Sequence, residues 1–156
     1  LSNGGVGLFL IGPPASLKTF LLTFVLKCLM AKGQSVRYST LEEVTDLYFQ
    51  RDGVSLESEL AHDHFVAVDN LGEIINKASP NALRRLLRRR SDDGLCTLLA
   101  SDLSPDDFKR QYAAVQEQIA GQCIEVPCSA RPFKVAAHFE DKKRQLGFVE
   151  EATHAD

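Results

Sequence analysis

The chain predicts an α/β fold, a parallel sheet covered by helices on both faces, and three observations predict it. Five short apolar runs alternate with helix-patterned segments, the arrangement that gives parallel strands buried on both sides. The first run, Val6 to Ile11, passes through Gly12-Pro13-Pro14-Ala15-Ser16-Leu17-Lys18-Thr19 directly into a helix. The third run, Phe65-Val66-Ala67-Val68-Asp69, ends in a carboxylate.

The elements follow in order. Val6 to Ile11 is a continuous apolar strand, and Lys18 to Ala31 is a helix closed by Gly33 at a C′ position. Ser35 to Ser39 is a short strand. Thr40 opens a capping box with Glu43, starting a helix whose Leu41, Val44, Leu47 and Tyr48 share a face. Gln50 to Asp63 is polar, with room for a short helix, and His64 to Val68 is the third strand. Ser79 and Pro80 read as an N-cap and N1 proline for a helix to about Arg90, with Leu83, Leu86 and Leu87 toward the core. Asp92-Asp93-Gly94 turns the chain into the strand Cys96 to Ala100. Ser104-Pro105, with Asp107 three residues after the serine, opens a further helix. Cys123 to Val126 is the fifth strand, and Phe133 to Leu146 reads as a final helix.

Composition narrows the function classes. A chain of 156 residues with 44% hydrophobic residues supports one domain with a real core. The net charge of −3 argues against a generally basic nucleic-acid binder, so DNA contact requires a local patch. The longest apolar stretch, Phe20 to Met30, is interrupted by Thr23 and Lys27 and is shorter than the ~20 residues of a bilayer span. With no membrane segment and no export signal after Leu1-Ser2-Asn3-Gly4-Gly5, the expected location is the cytoplasm, nucleoid-associated in a bacterium. Cys28, Cys96, Cys123 and Cys128 form no CxxC pair and are expected as free thiols packed in the core. His62 and His64 have no second ligand cluster and read as a solvated strand entrance.

The chemistry sits in the loop and the acid. In GxxxxGK[S/T] the glycines let backbone amides close on phosphates, the lysine reaches the β and γ phosphates, and the hydroxyl ligates Mg²⁺. Here Gly12, Lys18 and Thr19 are in place and Leu17 replaces the second glycine. Asp69 at a strand's carboxyl end is the form of acid that holds Mg²⁺ or its water. Together these predict a P-loop NTPase fold, with Gly12 to Thr19 binding ATP or ADP and Thr19 and Asp69 holding the metal.

From Gly7 to about Arg131 the chain resembles AAA+ ATPases of the helicase-loader and transposition-helper group, the DnaC- and IstB-like proteins, related to the initiator DnaA. The similarity lies in Gly12-Pro13-Pro14, in Gly33 to Tyr38 with Thr40, in Val68-Asp69-Asn70-Leu71-Gly72, in Arg88-Arg89-Arg90, and in Leu98 to Ser104 at the sensor-1 place. The resemblance implies a five-stranded sheet in the order 5-1-4-3-2, nucleotide at the carboxyl ends of its strands, and two kinds of partner: DNA, and a replicative helicase or transposase. It also implies homo- or hetero-oligomers, a core domain over 1–148 without a helical lid, a tail over 149–156, and a sensor-2-like role for Arg131, against which stands a structural salt bridge.

Four departures bear on catalysis. Glycine at 17 tolerates angles that cost an L-residue about 1–2 kcal/mol, so Leu17 weakens nucleotide binding about five- to thirtyfold by strain alone. The resemblance expects Glu after Asp69, and Asn70 cannot take a proton from water, a loss of about 10²–10⁴ in rate. It expects Asn where Asp102 stands, which places a negative charge near the γ phosphate if the side chain points inward. It expects an arginine finger near Glu117-Gln118-Ile119-Ala120, worth about 10³–10⁵ in turnover, where Gln118 supplies no charge. The expectation is a site with little hydrolysis and weak or absent nucleotide binding. The alternatives are a slow DNA-dependent ATPase in which Glu42, Glu43 or Glu73 replaces the base, and a RecA-like recombination module using Glu42 or Glu43. Glu43 already has a capping explanation.

The cluster Arg84, Arg85, Arg88, Arg89, Arg90 is the local basic patch, with Arg84, Arg85, Arg88 and Arg89 over the surface of their helix. They are candidates for a DNA backbone or a neighbouring subunit's nucleotide, against a solvated face paired with Asp92 and Asp93. Lys142, Lys143 and Arg144 extend basic surface, diluted by Glu140 and Asp141.

Overall fold

Five parallel strands form a single sheet, β1 (Gly7–Ile11), β2 (Val36–Thr40), β3 (Phe65–Asp69), β4 (Cys96–Ser101) and β5 (Cys123–Pro127), in the order β2-β3-β4-β1-β5. This is the 5-1-4-3-2 order that the resemblance implies. The helices are α1 (Lys18–Ala31), α2 (Leu41–Phe49), α3 (Ser79–Asp92), α4 (Pro105–Gln111) and α5 (Ala113–Gln122). The computed structural model describes residues 5–49, 60, 62–72 and 76–129. The expected helix Phe133–Leu146, most of Gln50 to Asp63, and Glu73, Arg131, Lys142, Lys143 and Arg144 lie outside them, as do the boundary at 148 and the tail.

Apolar residues on successive strands pack in two layers, one per sheet face. Phe9, Ile11, Val66, Val68 and Leu99 meet Leu41 and Val44 of α2, Leu83, Leu86 and Leu87 of α3, Phe108 of α4, and Val115 and Ile119 of α5. On the other face Leu10, Ala67, Leu98 and Ala100 meet Leu22 and Leu26 of α1. Each fully buried leucine contributes about 1.5–3 kcal/mol. The register sets Ile11 beside Ser101, Thr40 beside Asp69 and Val68 beside Leu99, so the carboxyl ends of four strands lie at one edge.

Local chemistry sets the element ends. Helix α1 closes in a Schellman motif, with Gln34 N–H donating to Leu29 O and Gly33 N–H to Met30 O, and Gly33 at φ 78°. Glu43 Oε2 accepts from Thr40 N–H at 2.9 Å, while Glu43 N–H donates to Thr40 Oγ1, completing the expected capping box. Ser104 caps α4 by accepting from Asp107 N–H.

Three expectations are corrected. Ser79 is not the N-cap of α3: Ala78 holds that place, and the buried Ser79 hydroxyl accepts instead from Thr45 Oγ1 at 3.0 Å, tying α3 to α2. Cys28 is exposed rather than core-packed, because α1 turns it away from the sheet; Cys96, Cys123 and Cys128 are partly buried, and all four are free. Arg90 does not belong to the surface cluster. It is 0% exposed, and all five of its N–H donors are used, Nε on Thr97 Oγ1, Nη1 on Leu60 O and Asp63 O, Nη2 on His64 O and Cys96 O. Burial lowers its pKa to about 10, still leaving it charged at neutral pH. Its fork stitches α3 to the amino ends of β3 and β4.

Candidate functional site at the phosphate loop

The turn from β1 to α1 is built from unusual backbone. Gly12 has φ 157°, and a Cβ there would lie 1.9 Å from Cys128 O, so the loop leaves β1 against the end of β5 only because residue 12 is glycine. Ala15 and Leu17 both adopt left-handed angles, φ 62° and 63°. Leu17 is the N-cap of α1, makes no side-chain cap, and is 54% exposed at the mouth of the loop. The conformation that the loop demands of its second glycine is thus held by a leucine, at about 1–2 kcal/mol of strain.

Lys18 is buried, and its ammonium is saturated. Nζ donates to Gly12 O at 2.8 Å, Pro13 O at 2.7 Å and Ser16 Oγ at 2.9 Å, and pairs with Asp102 Oδ1 at 2.6 Å. Asp102 therefore does point inward, onto the lysine. A hollow of about 330 Å³ lined by Ala15, Leu17, Lys18, Thr19, Phe20 and Asp102 opens outward from this pair.

The carboxylate arm assembles across the sheet. Thr19 Oγ1 donates to Asp69 Oδ2 at 2.6 Å, joining residues 50 apart in sequence, and Asn70 N–H donates to Oδ1 at 2.8 Å. A hydroxyl and a carboxylate in contact are hard oxygen donors of the kind that hold Mg²⁺ together with waters. Sequence reasoning missed Tyr38, whose hydroxyl donates to Asp69 Oδ2 at 2.8 Å. Burial first and the Asp69 carboxylate second raise its pKa to about 12, so Tyr38 is a fixed donor at neutral pH. The signal was the β2–β3 register, which sets Thr40 beside Asp69 and Tyr38 two residues behind. Asn70, at φ 59°, follows the carboxylate in a left-handed bend.

Of the three acids named as substitute bases, Glu73 lies outside the described residues and the other two part ways. Glu43 accepts from Ser39 Oγ at 2.8 Å as well as from Thr40 N–H, and these bonds, the backbone one first, lower its pKa. An acid held in its ionised form by its own helix start is a poor proton acceptor. Glu42 instead lines a cleft of about 350 Å³ with Asn70, Asp46 and Asn76.

The arginines of α3 form a second region. Arg84, Arg85 and Arg88 line a cleft of about 690 Å³ between α2, α3 and α5, together with Tyr48, Glu117 and Gln118. Arg85 stands 5.9 Å from the centroid of Tyr48, a cation–π contact. Arg89 does not line this cleft and pairs with Asp93 at 3.1 Å. Gln118, at the place of the expected arginine finger, faces the same cleft, and its Oε1 is buried with no hydrogen-bond partner among the described residues. Among the described residues no group of three or more His, Cys, Asp or Glu forms a metal cluster, His62 and His64 are exposed, and no helix is long and apolar enough to cross a membrane.

No family model matches the chain, and no curated protein matches it in sequence. Solved structures do match in fold. The DnaC helicase loader superposes with a TM-score of 0.71 at 16% identity, covering 81% of this chain and 80% of that one. DnaA from Aquifex aeolicus bound to AMPPCP gives 0.71 at 13% identity, over 95% of this chain and 48% of that one. Domain III of Thermotoga maritima DnaA gives 0.73 at 14% identity, over 97% and 66%. The chain thus spans about half the length of the Aquifex DnaA chain.

Proposed function

We propose that this chain, whose fold is that of the DnaC- and DnaA-like AAA+ domains, serves as a replication or transposition adaptor of the helicase-loader kind, with weak nucleotide binding and little hydrolysis. One observation carries the reading: Thr19 and Asp69 are hydrogen-bonded as two hard oxygen donors, while the residue beside Asp69 is an amide and a strained leucine stands in the place of the loop's second glycine. Binding and turnover need different parts: Leu17 bears on the first and Asn70 on the second. Gln118 in place of a trans-acting cation removes a further share of it. The similar structures are described as a helicase loader and as initiators bound to AMPPCP or to single-stranded DNA. By that likeness the partners proposed here are a replicative helicase or transposase-type protein, and DNA reached through Arg84, Arg85 and Arg88, with Arg89 at the margin.

Titration calorimetry with ATP or ADP and Mg²⁺, then turnover with single-stranded DNA, tests the reading. The expected result is weak or absent binding that tightens in Leu17→Gly, which clears the side chain from the mouth of the loop, with turnover staying low in Asn70→Ala. Robust DNA-stimulated hydrolysis by the unaltered chain sinks it. For the arginines, Arg84→Ala with Arg88→Ala is expected to reduce the salt slope of DNA binding by about two; an unchanged slope removes DNA from the cleft.

A second reading is favoured by the position of Glu42, which shares the Asn70 cleft and has no capping duty. There Glu42 activates the water that Asn70 only positions, giving a slow ATPase. Hydrolysis abolished by Glu42→Gln and untouched by Glu43→Gln selects it.

A further inference from the structure

Helix α1 is largely apolar, yet the sheet covers only one side of it. Its inward residues Lys18, Leu22 and Leu26 are buried. Leu17, Leu21 and Phe24 are 54%, 40% and 55% exposed, and Cys28 is exposed too. These four stand at spacings of four, three and four, the pattern of a seam that receives another helix. Phe20, 61% exposed, stacks on Phe24 with ring centroids 6.2 Å apart and widens the seam into a ridge. Thr19, Thr23 and Lys27 keep to the other flank of the helix.

Beside the ridge lies a trough of the same character. Helix α1 packs mainly on β2, β3 and β4. Over β1 and β5 the same sheet face carries Ile124, 61% exposed, which by strand alternation points the same way as Val126 of the α1-side core. Leu8 stands beside Ile124 in the register, and Val6, 64% exposed, precedes it on the same face. Strand–helix–strand connections are right-handed, and α1 runs antiparallel to the strands, so residues one step before its buried set lie on the flank toward β1 and β5. Leu17 and Leu21 are those residues. Leu17, Phe20, Leu21, Phe24, Val6 and Ile124, each of about 150–250 Å² and about half exposed, offer on the order of 700 Å². That exceeds the about 300–600 Å² of the largest apolar patch on an ordinary monomer, and it approaches the ~800 Å² per partner of a stable interface.

We propose that this face is a two-fold interface, in which a second copy of the chain lays its own α1 antiparallel in the trough. Leu17 then meets the partner's Cys28, and Leu21 meets the partner's Phe24. The order of the seam favours a second copy over an unrelated protein. The spacing four, three, four reads the same in both directions, so the seam matches itself when run backwards, as a dyad between Leu21 and Phe24 requires. Relief favours it as well, because the same operation seats each ridge of Phe20 and Phe24 in the other copy's trough over β1 and β5. None of the six residues is charged, so nothing on the face selects a partner of opposite charge. Antiparallel axes also set the helix dipoles in opposition, which favours the pairing. The leucine at position 17 thereby gains a purpose that glycine cannot serve, as the end knob of the seam. Leu17 and Phe20 also line the hollow outside Lys18, which puts the second copy at the mouth of the phosphate loop. The proposal does not depend on whether nucleotide binds.

Analytical ultracentrifugation of the full chain over a dilution series tests the interface. The unaltered chain is expected as a dimer in equilibrium with monomer, and Phe24→Glu, which enters the interface twice, is expected to raise the dissociation constant at least about a hundredfold. Phe49→Glu, at a phenylalanine of α2 that is 56% exposed, is expected to leave the dimer unchanged. A monomer at every concentration, growth beyond two copies, or equal weakening by Phe49→Glu overturns the proposal. Cross-linking to the native Cys28 tests the direction of the helices. Positions 17 and 28 are about 16 Å apart along one helix, too far to join within a chain. Leu17→Cys, oxidised mildly and mapped by non-reducing peptide mass spectrometry, is expected to join position 17 to the partner's Cys28, and Met30→Cys on the opposite flank is expected to form no such link. Failure of Leu17→Cys to join, or equal joining by Met30→Cys, overturns the antiparallel pairing.

Discussion

Lys18 and Arg90 are both buried cations, and the difference between their surroundings separates a candidate site from a strut. The Arg90 guanidinium spends four of its five donors on main-chain carbonyls and the fifth on Thr97, groups that cannot leave without unmaking the ends of β3 and β4. Lys18 is held by two loop carbonyls, the Ser16 hydroxyl and a carboxylate, Asp102, that is about half exposed. Those partners can be exchanged for phosphate oxygens without disturbing the sheet. Burial alone therefore does not tell function from architecture; whether the partners can be replaced does.

The largest test of this contrast is Arg90→Ala. It leaves four carbonyls without their donor, and the expected loss is about 3–5 kcal/mol in chemical denaturation; a loss under about 1 kcal/mol breaks the comparison. Leu17→Gly comes next, and its sign depends on which effect wins. Relief of left-handed strain stabilises by about 1–2 kcal/mol, and a net loss of stability in the full chain means instead that the Leu17 side chain is packed. Lys18→Ala is expected to change stability by less than about 1 kcal/mol, since water can reach the freed loop carbonyls, while removing whatever nucleotide affinity calorimetry detects. Glu43→Gln gives the smallest effect. Because the folded protein lowers this pKa below 4.5, the stabilisation is fully present at neutral pH and is lost as pH falls through the folded value. The stability gap between the unaltered chain and Glu43→Gln should accordingly close on acidification, and a gap that stays constant down to acid unfolding excludes the capping carboxylate as its source.

Much of the fold was legible because its signals are local. The Thr40–Glu43 and Ser104–Asp107 boxes, the Gly33 terminus and the bounds of α1 each rest on residues within one turn of each other. The interior role of Arg90 was not legible from a row of three arginines, whose members differ only in phase. Leu83, Leu86, Leu87 and Arg90 share one stripe at i, i+3, i+4 and i+7, and that spacing was the available signal. The break between α4 and α5 at Tyr112 has no local signal either. It comes from a tertiary demand: the ring is 0% exposed, stacks on Phe108 at 4.6 Å, and donates from its hydroxyl to Gly72 O, a residue 40 positions away. At the candidate site the loop and Asp69 were legible as a motif, whereas Tyr38 required knowing which strand lies next to which.

Gly12 bears on how such motifs persist. Its lack of a side chain is required by the Cys128 carbonyl, a constraint of packing between β1 and β5 that is present with or without a phosphate. Selection for a well-formed sheet would preserve this glycine long after any selection for a ligand had ended. A lineage of such chains can shed its chemistry residue by residue and still carry the opening letter of the signature, so that letter records the shape of the sheet more durably than it records an activity.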